Sequence, residues 1–182
     1  SRQLGGNSIL LKTHAMYSSL NGVPLIAAGV SRKAYVIVRN PFDIIPSYAD
    51  HFGVPIKDAV GYIHNDNKKL GSFKPAEEVY PVPVGSWARN VISWLSQDEI
   101  EVYPVRYEDL LQDDGALEDL ATDLLGERET TKIAKAIAET RFAKLAEQEA
   151  NLGFGEKSPH SSRFFRRGKT NSGFESLTAE QI

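Results

Sequence analysis

Two short clusters of polar residues have the types and positions to do chemistry. Arg39 closes the apolar run Ala34-Tyr35-Val36-Ile37-Val38, and Ser47 follows eight residues later in a segment of helical character. A guanidinium can grip an anion through two parallel N–H bonds, and a nearby hydroxyl adds another donor, so this pair can hold one phosphate. The competing reading pairs Arg39 with a helix carboxylate such as Asp43 and leaves Ser47 an ordinary surface residue. The second cluster is Lys12-Thr13-His14. Imidazole titrates near neutrality and can take a proton from a hydroxyl, while an ammonium can neutralise charge on a transferring anionic group. A lone His at a strand end serves as well as a cap or a core residue, so the case for catalysis rests on the two clusters meeting.

The elements around them decide whether they can meet. Ala34 to Val38 shows no polar–apolar alternation, as expected of a strand buried on both faces of a parallel sheet. Pro41 suits the first position of a helix, and Asp43 falls in the first turn, where a carboxylate complements the positive end of the dipole. The helix is expected to reach about Phe52, bent at Pro46. Such a strand–turn–helix unit sets Arg39 at the carboxyl edge of a sheet, where open α/β folds bind anions and nucleotides. Ser8 to Leu11 reads as a short strand ending at Lys12; if it neighbours the central strand, both clusters project over one edge. Further helices are expected from Pro55 to about Lys69, around Trp87, Val91, Trp94 and Leu95, from Ala116 to Leu125, and from Thr130 to Leu145. A strand is expected from Ile100 to Tyr107, loops from Gly71 to Pro83 and from Asn151 onward, and no repeat is present. Strands alternating with helices predict an α/β fold, a three-layer α/β/α arrangement around a parallel sheet, as one domain over residues 1–182. Three strands are few for that length, so the domain reads as incomplete at its amino end.

Composition narrows the function. With 182 residues, 41% hydrophobic and 25% charged, the chain is ordinary for a globular domain, and no apolar run approaches the length of a membrane span. It reads as soluble and cytoplasmic, with no membrane partner. A net charge of −3 argues against a nucleic-acid partner. Positions 98–129 are acidic, whereas Arg163, Arg166, Arg167 and Lys169 form a basic cluster. There is no Cys, and the His residues at 14, 51, 64 and 160 lack metal-site spacing, so no metal is expected.

Taken in order, Leu11-Lys12-Thr13-His14, Tyr35-Val36-Ile37-Val38-Arg39-Asn40-Pro41 with Asp43, Ser47 and Tyr48, Gly85-Ser86-Trp87, Arg106-Tyr107-Glu108-Asp109-Leu110, and Phe165-Arg166-Arg167-Gly168 resemble the motif series of cytosolic-type sulfotransferases. That resemblance implies a P-loop-NTPase-like sulfotransferase fold. It also implies the donor 3′-phosphoadenosine 5′-phosphosulfate (PAPS), the product adenosine 3′,5′-bisphosphate (PAP), and a small-molecule or glycan acceptor. By the same resemblance His14 is the general base, Lys12 assists at the sulfuryl group, and Arg39 and Ser47 hold the 3′-phosphate. Tyr107 approaches the nucleotide, Thr140 and Phe142 match the segment that contacts adenine, and Arg166, Arg167 and Gly168 match the element that closes over the 3′-phosphate.

The chain departs from that family in three places. Arg141 stands where Ser is usual, Asn171 where Gly is usual, and Ser172-Gly173-Phe174 replaces an Asp-Trp-Lys run. A loop resembling Lys-Ser-Gly-Thr-Thr, which binds the 5′-phosphosulfate, is expected upstream of Lys12 and is not found in Ser1 to Asn7. A non-catalytic nucleotide-binding remnant of such a domain is therefore the alternative. A small-molecule kinase is disfavoured, because no Gly-x-x-x-x-Gly-Lys-[Ser/Thr] exists here.

Overall fold

The computed structural model describes residues 8–71, 80–125 and 130–182, and the backbone of 2–4. Its centre is a parallel pair of strands, β5 (Lys33–Val38) and β8 (Glu101–Arg106), in register from Lys33↔Glu101 to Val38↔Arg106. Because the last rungs coincide, Arg39 and Tyr107 leave the sheet side by side. Among the described residues this sheet has two strands, not the three expected. β2 (Ser8–Leu10) pairs antiparallel with β1 (Arg2–Leu4) instead of joining β5, so Lys12 does not leave the same sheet as Arg39. Two small hairpins complete the strands: β3 (Ser19–Leu20) with β4 (Val23–Pro24), and β6 (Lys69–Leu70) with β7 (Val82–Pro83). A short 3-10 turn at Ala28–Val30 leads into β5. Most of the expected 71–83 loop, positions 72–79, lies outside the described residues, as do Gly5 to Asn7.

Helix α1 spans Pro41–Phe52. Asn40 caps it by accepting from the Phe42 N–H at 3.0 Å, Pro41 opens it, and Gly53 closes it in the left-handed conformation at φ 63°. α2 (Ile56–Ile63) packs against α1, and the core lies between them. Ile45, Ala49 and Ala59 are buried there, ringed by Phe42, Tyr48, Val54, Ile56, Val60, Ile63 and the distant Leu177. α3 (Trp87–Leu95) packs on both strands of the parallel pair, with Ser86 as its cap. Buried Trp94 in α3 donates its indole N–H to the Ala15 carbonyl at 3.0 Å and stacks on Tyr17.

Beyond β8 the chain is helical: α4 (Tyr107–Gln112), α5 (Asp114–Leu125), α6 (Thr130–Glu139) and α7 (Phe142–Leu152). The single helix expected from Thr130 to Leu145 is two. The Thr140 hydroxyl turns back to the Ala136 carbonyl at 2.8 Å, and Arg141 flips to extended backbone at the start of α7, pairing with Asp114 at 2.5 Å. The tail from residue 153 is irregular except for a 3-10 turn at Phe174–Ser176.

Candidate functional site at the carboxyl edge of the parallel strands

A cleft of about 480 Å³ opens where β5 and β8 end, walled by Arg39, Asn40 and Pro41, by Trp87, by Arg106, Glu108 and Asp109, and by Thr170 and Asn171 of the tail. The half-buried Arg39 guanidinium lies over the Tyr107 ring, 4.5 Å from its centroid. Its Nε is fully buried, and among the described residues no acceptor meets it. The Trp87 indole donates to the Arg39 carbonyl at 3.0 Å, and the Glu108 carboxylate accepts the Asn40 N–H at 2.8 Å. The strand exit is thus fixed on both sides, while among the described residues no carboxylate forms an ion pair with the charge it presents. A cation–π contact orients a guanidinium without using its N–H donors. An anion supplies the acceptors that such a group lacks, so these residues fit a phosphate.

The competing pairing of Arg39 with Asp43 does not form. Asp43 is 4% exposed, and its two oxygens accept the backbone N–H groups of Gly173 at 2.7 Å and Asn171 at 2.8 Å. This carboxylate, expected to favour the helix dipole or to pair with Arg39, ties the tail to the first turn of α1. Two features make that approach possible. Pro46 has no N–H to give the Phe42 carbonyl one turn earlier, and Gly173 packs against that carbonyl so closely that an added Cβ would sit 1.9 Å from its oxygen. Asn171, where the resembled family has Gly, takes the left-handed conformation at φ 59°, which Asn tolerates better than most residues. Phe174 then stacks on Phe42 at 4.8 Å.

The basic element of the tail runs along α1. Arg166 donates to the Pro46 carbonyl at 3.3 Å and pairs with Asp50 at 3.3 Å; Asp50 also accepts from the Ser161 hydroxyl. Ser47 is exposed beside the carbonyl that Arg166 holds. Arg167 is exposed and donates to the Ser172 carbonyl at 2.9 Å and the Ser176 hydroxyl at 3.0 Å. Gly168, at φ 58°, lies on the Phe142 ring, where a Cβ would come within 2.4 Å. The structure therefore brings Ser47 close to Arg166, and Phe142 close to Gly168. The Thr140 hydroxyl is engaged with its own helix.

The His14 segment is tied to α3, the helix whose Trp87 walls the cleft. Asn90 donates to the His14 carbonyl at 3.3 Å and to the Val84 carbonyl at 2.9 Å, one helical turn after Trp87 holds the Arg39 carbonyl. Side chains three apart on a helix sit about 5–6 Å apart, so the two segments hang from adjacent rungs of one element. His14 is exposed, and Lys12, also exposed, pairs with Glu156 at 3.1 Å. Neither lines the cleft. Trp87, Glu108, Asp109 and Asp43 lie within the motif series, and Asn90 outside it; nothing local predicts the anchoring done by Trp87, Glu108, Asn90 and Asp43, because their partners are distant in sequence. Among the described residues no group of His, Asp and Glu is arranged to hold a metal ion.

No family model matches the chain, and no curated protein matches it by sequence. Among solved structures its α/β architecture is similar to that of a sulfotransferase. The structure is that of mouse sulfotransferase SULT7A1 complexed with PAP, with a TM-score of 0.55 and 22% identity over 82% of this chain and 54% of that one. The chain thus spans about half the length of that protein. Among the described residues no helix is long and apolar enough to cross a membrane.

Proposed function

We propose that the chain is a PAPS-dependent sulfotransferase domain that holds the nucleotide at the carboxyl edge of β5 and β8. The observation that carries this reading is Arg39, half-buried on Tyr107 with its Nε unmatched by any acceptor among the described residues. The 3′-phosphate is the anion assigned to it, with Ser47 and the Arg166–Arg167 element contributing from α1 and the tail. Phe142 offers an aromatic face for the adenine, beneath Gly168. The likeness in fold to a PAP-bound sulfotransferase supports the choice of nucleotide.

When bound, PAPS supplies an activated sulfuryl group. His14 takes the proton of the acceptor hydroxyl or amine as the new bond to sulfur forms and the sulfur–oxygen bond to the 5′-phosphate breaks, so that PAP departs with the electron pair of that bond. Lys12 approaches the developing negative charge once released from Glu156, a surface ion pair of small worth. Arg39 and Tyr107 fix the nucleotide end, so that binding energy remote from sulfur is spent on alignment.

Two measurements test this. Calorimetric titration with PAP should give saturable binding that Arg39→Ala largely removes; absence of binding to the parent chain would overturn the reading. With PAPS and a phenolic or amine acceptor, His14→Ala should abolish turnover while PAP affinity is kept, and retained turnover would remove the base assignment.

A further inference from the structure

We propose that a second groove, on the His14 side of α3, receives the acceptor and selects organic hydroxyl compounds carrying a carboxylate or sulfate. This rests on the sulfotransferase reading above. The groove encloses about 500 Å³ between the β3–β4 hairpin, the turn at Asp66 to Lys69, and Arg89 of α3. It begins at Met16, two residues from His14, where the Met16 N–H is pinned to the Pro83 carbonyl at 3.0 Å. Arg89 adjoins Asn90, which holds the His14 carbonyl. An acceptor seated here lies beside the segment that carries the proposed base.

The charge of the groove is one-sided. Among the described residues that line it, Lys68, Lys69 and Arg89 share the groove with one carboxylate, Asp66, which already accepts the Ser86 hydroxyl at 2.5 Å. Among the described residues none of the three cations is paired with a carboxylate. Lys68 is positioned instead by aromatic faces, its ammonium 3.7 Å from the Tyr62 centroid and 5.6 Å from that of Tyr48. Arg89 gives one N–H to the Asp66 carbonyl at 3.5 Å and keeps the rest of its fork. Met16, Leu20 and Pro83 add apolar wall. Cations that no described carboxylate pairs, set around an apolar wall, suit a ring or chain with an anionic end, since a contact there breaks no ion pair among the described residues.

The chain has one methionine, so the ¹³C-methyl resonance of Met16 reports from this groove alone, and the Trp87 indole N–H reports from the nucleotide cleft. Titration with 4-hydroxyphenylacetate and with its neutral methyl ester separates charge from shape. The acid should shift Met16 and bind about tenfold tighter than the ester, the sum of two or three exposed charge contacts. The triple variant Lys68→Gln, Lys69→Gln and Arg89→Gln should lower the acid to the ester's affinity, with an unchanged circular dichroism spectrum. Equal affinity of acid and ester, or a preference that survives in the triple variant, would overturn the proposal. Selection of the acid at Met16 while PAP leaves Trp87 unmoved would fail the sulfotransferase reading and leave the anion preference standing. A PAP response without that selection would fail this proposal alone.

Discussion

Asp43→Asn is the sharpest perturbation of the architecture around the cleft. The carboxylate is buried and receives two backbone N–H groups from residues 128 and 130 positions away. Hydrogen bonds to a charged group contribute about 1.5–3 kcal/mol each. In the amide variant one oxygen remains as a neutral acceptor, while the NH₂ confronts the second N–H and leaves a buried donor unpaired, at a cost of about 1–3 kcal/mol. Losing the negative charge in the first turn of α1 adds about 0.3–1 kcal/mol. The combined loss is about 3 kcal/mol, or a midpoint shift of roughly 1.5 M urea for a slope near 2 kcal/mol/M. If the tail detaches before the rest unfolds, the effect appears as faster amide exchange at Asn171 and Gly173 and a smaller global shift. Hydrogen exchange and urea denaturation on the same samples therefore capture both routes. Unchanged tail protection together with a midpoint shift below about 0.3 M urea would refute the assignment of Asp43 as the tie.

Gly173→Ala should be at least as damaging, because its Cβ would sit 1.9 Å from the Phe42 oxygen and backbone must move; thermal melting of the variant, compared with Gly155→Ala in open space, checks this. Burial, followed by the hydrogen bond donated to Asp123 at 2.5 Å, pushes the Tyr35 phenol up to about 12 from an ordinary value of 10.0. A raised folded-state pKa contributes stability below pH 10 that is lost as pH rises toward 12, so Tyr35→Phe should flatten the decline in stability between those limits; an unchanged slope in alkaline denaturation would contradict it. The Glu149 carboxyl is held below its ordinary range chiefly by the backbone N–H of Phe164, and also by that of Phe165. Its contribution is present above the unfolded carboxylate pKa and fades on acidification, so protection factors at Phe164 and Phe165, taken relative to intrinsic exchange, should fall below about pH 4 in the parent chain and already at pH 7 in Glu149→Gln.

Most local signals read well in this chain, although the helix expected to reach Lys69 ends at Ile63, and Ile37, in a strand expected to be buried on both faces, is 55% exposed. Pro41, Asp43 and the apolar spacing that follows place α1 at its observed ends, and the unalternating run before Arg39 marks β5 to within one residue. The Trp87–Trp94 spacing likewise gives α3. What failed was pairing at long range. Ser8 to Leu10 has the composition of a strand, but nothing local says whether it joins β5 or folds back on residues 2–4. The break between α6 and α7 hides inside continuous helical periodicity, and its only sequence mark is Thr140, whose hydroxyl competes for the backbone. Arg39 and Tyr107 could be placed at one edge from the strands they follow, whereas the Asp43–tail tie joins opposite ends of the chain and has no local signature. At Pro46 helix α1 continues without interruption, and the freed Phe42 carbonyl is where the tail packs.

The grip of Arg39 on a 3′-phosphate is tested most directly by calorimetry on the parent chain and Arg39→Ala with two ligands, PAP and adenosine 5′-monophosphate, which lacks that phosphate. A bidentate charge-assisted contact is worth about 1.5–3 kcal/mol, so the substitution should weaken PAP roughly 10- to 100-fold and leave the monophosphate within about twofold. Equal losses for both ligands, or none for either, would contradict the assignment.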